Sequence, residues 1–196
     1  GLGSSAALSI AIARAKKLPN IREIANKCEK FIHGNPSGID VNQVLSDTPL
    51  LFSKKEGASE LNFDLNSYLL IIDTGVVGIT KETLKHIEDN YIEYEKYIAE
   101  LGEITDSVIE PLKNKNIDLV GQYMYKAHDL LRKLGVSHAS NDEVVEICKN
   151  NNAIGAKLTG GGAGGCCISL SKTKENALEI QNALKEKGYS SWIVTV

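Results

Sequence analysis

The chain has 196 residues, 42% of them hydrophobic and 24% charged, an ordinary balance for a globular protein with room for one large domain or two small ones. A formal net charge of −3 argues against a surface devoted to nucleic-acid phosphates or anionic lipid, and leaves small molecules as the expected partners. Cys28, Cys148, Cys166 and Cys167 form no CxxC pair and no zinc-spaced cluster with histidine, so reduced core thiols are expected rather than a disulfide framework or a structural metal.

The first predicted element is a helix from residue 4 to about 17, on the spacing of Ala7, Ile10, Ala11 and Arg14. Leu18-Pro19-Asn20 stops it, and a second helical run extends from 21 to about 31. A short helix from about Ser37 carries Ile39, Val41, Val44 and Leu45; a strand at 50–52 and a polar turn at 54–60 follow. Residues 68–74 read as a buried strand opening a second domain, with the boundary near 65. Leu84, Ile87, Tyr91, Tyr94, Ile98 and Leu101 mark one long amphipathic helix, followed by helices near 103–113 and 117–134. The remainder reads as a helix from about Asn141, strands at 153–158 and 166–170 around a glycine loop, a helix at about 174–187 and a strand through Trp192, Ile193 and Val194. Four strands backed by helices predict an α+β sandwich of ferredoxin-like type, with extra helices inserted after its first strand. The apolar run at 6–13 is too short to span a bilayer and no leader peptide is visible, so cytoplasm is expected.

Three segments carry chemistry. Gly1-Leu2-Gly3-Ser4-Ser5-Ala6 leads into the first helix, where glycines allow close backbone approach and the helix N-terminus favours an anion such as phosphate. A helix cap by Ser4 or Ser5 accounts for the same residues. The loop starts the chain with no strand ahead of it, so a fragment lacking its upstream part is expected. Glu29 to Asp40 brings one carboxylate out of a helix and another into the next. Ser37 and Asp40 have capping-box spacing, yet a carboxylate there also suits a base that positions and deprotonates a hydroxyl. His33 reads as a pocket wall or packing residue. Between Thr159 and Cys166, five of six residues are glycine; each surplus glycine forfeits about 0.5–1 kcal/mol relative to alanine, so backbone close to a ligand is favoured over a plain hairpin turn.

Together these segments resemble the small-molecule kinases named for galactose, homoserine, mevalonate and phosphomevalonate. Gly1 to Ala6 is similar to that family's second motif and Lys157 to Gly165 to its third. His33-Gly34-Asn35-Pro36-Ser37-Gly38-Ile39-Asp40 and Leu134-Gly135-Val136-Ser137-His138 resemble stretches of its mevalonate-phosphorylating branch. The resemblance implies residues 1–65 as the truncated end of an ATP/Mg-binding N-terminal domain, like ribosomal protein S5 domain 2, and 66–196 as the C-terminal kinase domain. It implies ATP bound by Gly1, Leu2, Gly3, Ser4, Ser5, Ala6, Gly160, Gly161, Gly162, Ala163 and Gly164, and Mg²⁺ held by Ser5 and Glu29. Asp40 would face the substrate hydroxyl, with His33 and Thr80 beside the substrate; an N-cap of the long helix accounts for Thr80 equally well. The implied reaction is γ-phosphoryl transfer from ATP to the primary hydroxyl of mevalonate. A homodimer, no nucleic acid and no membrane are the other expectations.

Two departures accompany the resemblance. Gly78 stands where animal members have an arginine, which leaves the substrate carboxylate without an assigned partner. The family's first motif, with its lysine and acidic residue, is absent, so the 196-residue chain alone is expected to bind ATP poorly and to turn over negligibly. Rival readings are a sister enzyme acting on phosphomevalonate or diphosphomevalonate, and a non-catalytic metabolite-binding module.

Overall fold

The computed structural model describes residues 2–34, 36–78 and 80–196, leaving out the side chains of residues 80, 81, 82 and 84. The described chain divides into two compact units, Leu2–Asn62 and Phe63–Val196.

The N-terminal unit is built on α1 (Ser4–Ala15), α2 (Ile21–His33) and α3 (Ile39–Val44). Ala6, Ile10 and Ala13 recur on one face of α1 and are buried, as helical spacing requires. Lys17 and Asn20 adopt left-handed backbone (φ 51° and 55°) on either side of Pro19, which reverses the chain between the first two helices. The core is small, with Ala6, Ile10, Ala25 and Val41 at its centre. β1 (Leu50–Ser53) and β2 (Gly57–Glu60) close the unit as an antiparallel hairpin, in register from Leu50↔Glu60 to Ser53↔Gly57. The polar turn expected over 54–60 is therefore a turn plus a strand. All four residues of β2 are exposed, so backbone pairing forms it without any apolar alternation to reveal it.

The C-terminal unit contains a four-stranded antiparallel sheet of β3 (Tyr68–Asp73), β4 (Gly155–Thr159), β5 (Cys166–Ser171) and β6 (Ser190–Thr195), in the order β4-β5-β3-β6. Five helices lie between β3 and β4: α4 (Thr80–Asp89), α5 (Tyr91–Ser107), α6 (Ile109–Lys113), α7 (Ile117–Lys133) and α8 (Ala139–Asn150). With α9 (Lys174–Glu186) before β6, chain order and strand order together are those of the expected ferredoxin-like sandwich with inserted helices. The single long helix expected around 84–101 is two. Asn90 leaves helical geometry (φ −117°, ψ 21°), and its side-chain amide donates to the His86 carbonyl at 2.8 Å, ending α4. Residues 103–107 complete α5 rather than starting a new helix. α8 begins two residues before Asn141 because His138 caps it, its imidazole accepting from the Ser140 N–H at 3.1 Å.

The main core joins Leu70, Ile72, Leu158 and Cys167 of the sheet to Val144, Val145 and Cys148 of α8 and Ala177, Ile180 and Leu184 of α9. A second cluster, Leu65, Val120, Met124 and Leu170, involves α7. There α7 meets β4 backbone to backbone: a Cβ on Gly155 would stand 2.5 Å from the Gly121 Cα. Where α7 packs near α8, buried His128 accepts the Leu158 N–H on Nδ1 at 3.4 Å. Its Nε2 lies 3.2 Å from Asp142 Oδ1, at an angle that falls short of a hydrogen bond. Asp142 also accepts from Ser137 Oγ at 2.6 Å and pairs with Arg132 Nε at 3.2 Å. Desolvation holds the His128 pKa below the ordinary histidine value; the pull of Asp142 opposes it.

The four cysteines are unpaired thiols, but only Cys148 and Cys167 belong to the core; Cys28 and Cys166 are half-buried. Burial pushes the Cys148 thiol up to about 12 and the Cys167 thiol to about 11. No helix among the described residues is long and apolar enough to cross a membrane.

Candidate active site

Gly3 caps α1 in left-handed backbone, φ 70° and ψ 28°, and no side chain caps the helix. Ser4 and Ser5 are its first two helical residues, so the cap expected of either hydroxyl is not formed. The earliest helical bond runs from the Ala7 N–H to the Gly3 carbonyl at 2.9 Å, and the N–H groups of Ser4, Ser5 and Ala6 precede it at the positive end of the helix. Such a terminus accepts an anion. Ala6 is buried and Leu2 exposed; Gly1 lies outside the described residues.

Ser5 and Glu29 come together through one imidazole. Ser5 Oγ is 3.2 Å from His33 Nε2, and the same nitrogen is 3.8 Å from Glu29 Oε2. His33 is therefore tied to the two residues expected to hold metal. The other Glu29 oxygen, Oε1, is buried with no hydrogen-bond partner among the described residues, and the residue is only 3% exposed. A buried carboxylate oxygen left unpaired is costly unless a ligand completes it. One hydroxyl and one carboxylate fit Mg²⁺, which keeps waters and takes phosphate oxygens as its remaining ligands.

Asp40 stands in the first turn of α3, whose cap is Gly38 in left-handed backbone (φ 88°). The Ser37–Asp40 capping box is absent. Ser37 Oγ instead accepts from the Ile39 N–H at 3.3 Å, and Asp40 makes no hydrogen bond or ion pair among the described residues. Its exposed carboxylate lies against the start of α1: a Cβ on Gly3 would meet Asp40 Oδ1 at 3.2 Å and Cγ at 3.3 Å. Positive φ favours glycine at position 3, and a Cβ there would press on the Asp40 side chain. The N-terminal unit thus gathers free helix N–H groups, a hydroxyl, an orphaned carboxylate oxygen and a second, unpartnered carboxylate.

The glycine tract belongs to the C-terminal unit and joins β4 to β5, so the hairpin reading holds for its topology. Packing explains two of its glycines. A Cβ on Gly162 would meet the Val136 carbonyl at 2.2 Å, and one on Gly164 the Val76 carbonyl at 2.7 Å. Gly162 and Gly164 are buried and Ala163 is half-buried in left-handed backbone (φ 55°), whereas Gly160 and Gly161 are exposed. A Cβ on Gly78 would lie 2.3 Å from the Gly162 carbonyl, so no side chain fits at 78 on this backbone. Thr80 begins α4, and its side chain lies outside the described residues. Lys157, at the head of the tract, donates Nζ to the Leu158 carbonyl at 2.7 Å, with burial drawing its pKa down.

Two tract-binding residues escaped the sequence reading. Thr74 donates its N–H and hydroxyl to the Gly165 carbonyl at 3.0 and 2.6 Å, and fully buried Asn141 bonds both backbone groups of Gly164. Asn141 follows His138 at capping-box spacing, a signal the sequence did contain.

The known proteins that this chain is similar to are small-molecule kinases. Residues 108–190 match the family described as GHMP kinases C terminal. The mevalonate kinase of Aeropyrum pernix is 32% identical over 188 residues, covering 89% of this chain and 58% of the relative. That of Pyrococcus abyssi is 32% identical over 213 residues, covering 100% of this chain and 62% of the relative. Among solved structures, L. major mevalonate kinase in complex with R-mevalonate superposes with a TM-score of 0.84 at 25% identity, covering 98% of this chain and 65% of that one. The chain spans roughly three fifths of the length of the curated relatives it matches, 58% and 62% in these two. Residues 108–190 thus carry the match to a GHMP kinase C-terminal domain, within a chain similar over nearly its whole length to mevalonate kinases.

Proposed function

We propose that the protein is a mevalonate kinase, transferring the γ-phosphoryl group of ATP to the primary hydroxyl of mevalonate to give 5-phosphomevalonate and ADP. The observation that carries this reading is the position of Asp40: an unpartnered carboxylate beside Gly3, at the helix terminus suited to phosphate. The α1 N–H groups cradle the phosphates. Asp40 accepts the hydroxyl proton as the hydroxyl oxygen forms its bond to the γ-phosphorus, and the bond from that phosphorus to the bridging oxygen breaks to release ADP. Ser5 and Glu29 would hold Mg²⁺, which, when bound, neutralises charge on the phosphate oxygens. His33 stays with that pair, orienting Ser5. In the C-terminal unit the exposed backbone of Gly160 and Gly161 is the part of the tract assigned to nucleotide. Thr80 retains its assignment beside the substrate, and residues 1–65 theirs as part of an ATP-binding domain.

Made in a chain that also carries the family's first motif, Asp40→Asn tests the assignment. Turnover of mevalonate is expected to fall at least 100-fold, with ADP affinity changed less than twofold, because the amide fills the same space but accepts no proton. Retained turnover would remove Asp40 from the mechanism. Supplying mevalonate, phosphomevalonate and diphosphomevalonate separately in an ADP-release assay identifies the substrate, and release with either phosphorylated compound alone would reassign the enzyme.

A further inference from the structure

We propose that Asn141 is a positioning residue for the nucleotide-facing glycine turn, fixing the base from which Gly160 and Gly161 project; this rests on the assignment of that turn to nucleotide. Asn141 is fully buried, and its amide is saturated. Oδ1 accepts from the Gly164 N–H at 3.0 Å and the His138 N–H at 3.1 Å, while Nδ2 donates to the Gly164 carbonyl at 2.9 Å and contacts Cys167 Sγ at 3.3 Å. An asparagine amide has two acceptor and two donor sites, and all four are used here. Asn141 therefore does for Gly164 what a neighbouring strand would do, holding both polar groups of a residue at φ 112°, a conformation that L side chains rarely adopt.

The flanking residues are held as firmly. The Ala163 N–H donates to the Val136 carbonyl at 2.8 Å and the Gly165 N–H to the Val76 carbonyl at 2.7 Å, while the Gly165 carbonyl takes the two bonds from Thr74. Residues 163–165 thus form a clamped base, and the exposed pair at 160–161 is the segment left to meet a ligand. Among these clamps only Asn141 reaches the middle of the base by a side chain alone, so it can be altered without touching the backbone path.

Asn141→Asp keeps an acceptor for the His138 and Gly164 N–H groups but sets a carboxylate oxygen against the Gly164 carbonyl. His138→Ala removes the imidazole cap of α8 and leaves every bond to the tract in place. In a chain that also carries the first motif, and with ADP and Mg²⁺ as the probe, Asn141→Asp is expected to raise the ADP dissociation constant about tenfold and to speed amide exchange at residues 162–165 at least tenfold. His138→Ala is expected to lower the thermal midpoint and to leave ADP affinity within twofold. Equal effects of the two variants on ADP affinity would reduce Asn141 to a helix cap and overturn the proposal, as would faster exchange without weaker binding. Should Asn141→Asp fail to fold, the wild-type protein still decides: a Gly164 amide exchanging as fast as that of Gly161 overturns the clamp. Absence of ADP binding to the wild type would sink the nucleotide assignment itself, and the exchange result alone would then decide whether Asn141 fixes the turn.

Discussion

Gly3 and Asp40 constrain each other. The positive φ at Gly3 disfavours any side chain there, a Cβ would press on the Asp40 carboxylate at 3.2 Å, and the same closeness sets Asp40 at the helix start. Sequence spacing suggested this pair only indirectly, because Ser4, Ser5 and the Ser37–Asp40 interval read equally well as caps. In the structure glycines cap both helices in left-handed backbone, which frees the hydroxyls and the carboxylate from that duty. His33 could not be placed from the sequence, since its link to Ser5 spans 28 residues. Glu29 offers a direct check on the metal assignment. Its Oε1 has no partner to lose among the described residues, so Glu29→Gln is expected to leave the thermal midpoint unlowered. Calorimetry of ADP binding with and without Mg²⁺ should show the Mg²⁺-dependent increment reduced at least tenfold and Mg²⁺-free binding unchanged. An undiminished increment would move the metal elsewhere.

At the scale of elements, periodicity located the apolar faces and missed what interrupts them. Ile87, Tyr91 and Tyr94 continue one stripe across the α4–α5 break, where Asn90 leaves helical geometry and its side chain bonds the His86 carbonyl. β2 was invisible for the opposite reason, having pairing without a buried face. The contact of α7 and α8 around His128 yields a pH test. Its folded pKa is lowered by desolvation, so the unfolded chain takes up a proton first as pH falls. The stability tied to neutral His128 is complete above the ordinary value of 6.5 and declines as pH drops through it toward the lowered folded value. The groups facing the ring are Asp142, Asp129 and Arg132. His128→Asn keeps an acceptor for the Leu158 N–H and cannot titrate, so its thermal midpoint is expected to fall less between pH 7 and pH 5 than that of the wild type. Parallel profiles would show that the imidazole is not the titrating group.

At the scale of the whole molecule, the two units differ most in their cores. Three of the four central residues of the N-terminal core are alanine or valine, whereas the C-terminal unit buries leucines and isoleucines on its sheet. A smaller core buries less apolar surface against the same chain entropy. Native-state amide exchange is therefore expected to be at least tenfold faster in α1 and α3 than in β3 and β5, and α1 amides that outlast those of β5 would refute the ranking. The strand order of the C-terminal unit was legible because its strands are apolar and its turns rich in glycine. The clamps on the glycine tract were not, because they come from residues far away in the chain. That distance has a kinetic side. Thr74 and Gly165 are 91 residues apart and adjoin the Asp73↔Cys166 end of the β3–β5 ladder, so the bond that shapes the tract is a non-local one, of the kind that is slow to form. Loosening the β3–β5 pairing would therefore loosen the turn with it, which couples the shape proposed to meet a ligand to the integrity of the sheet.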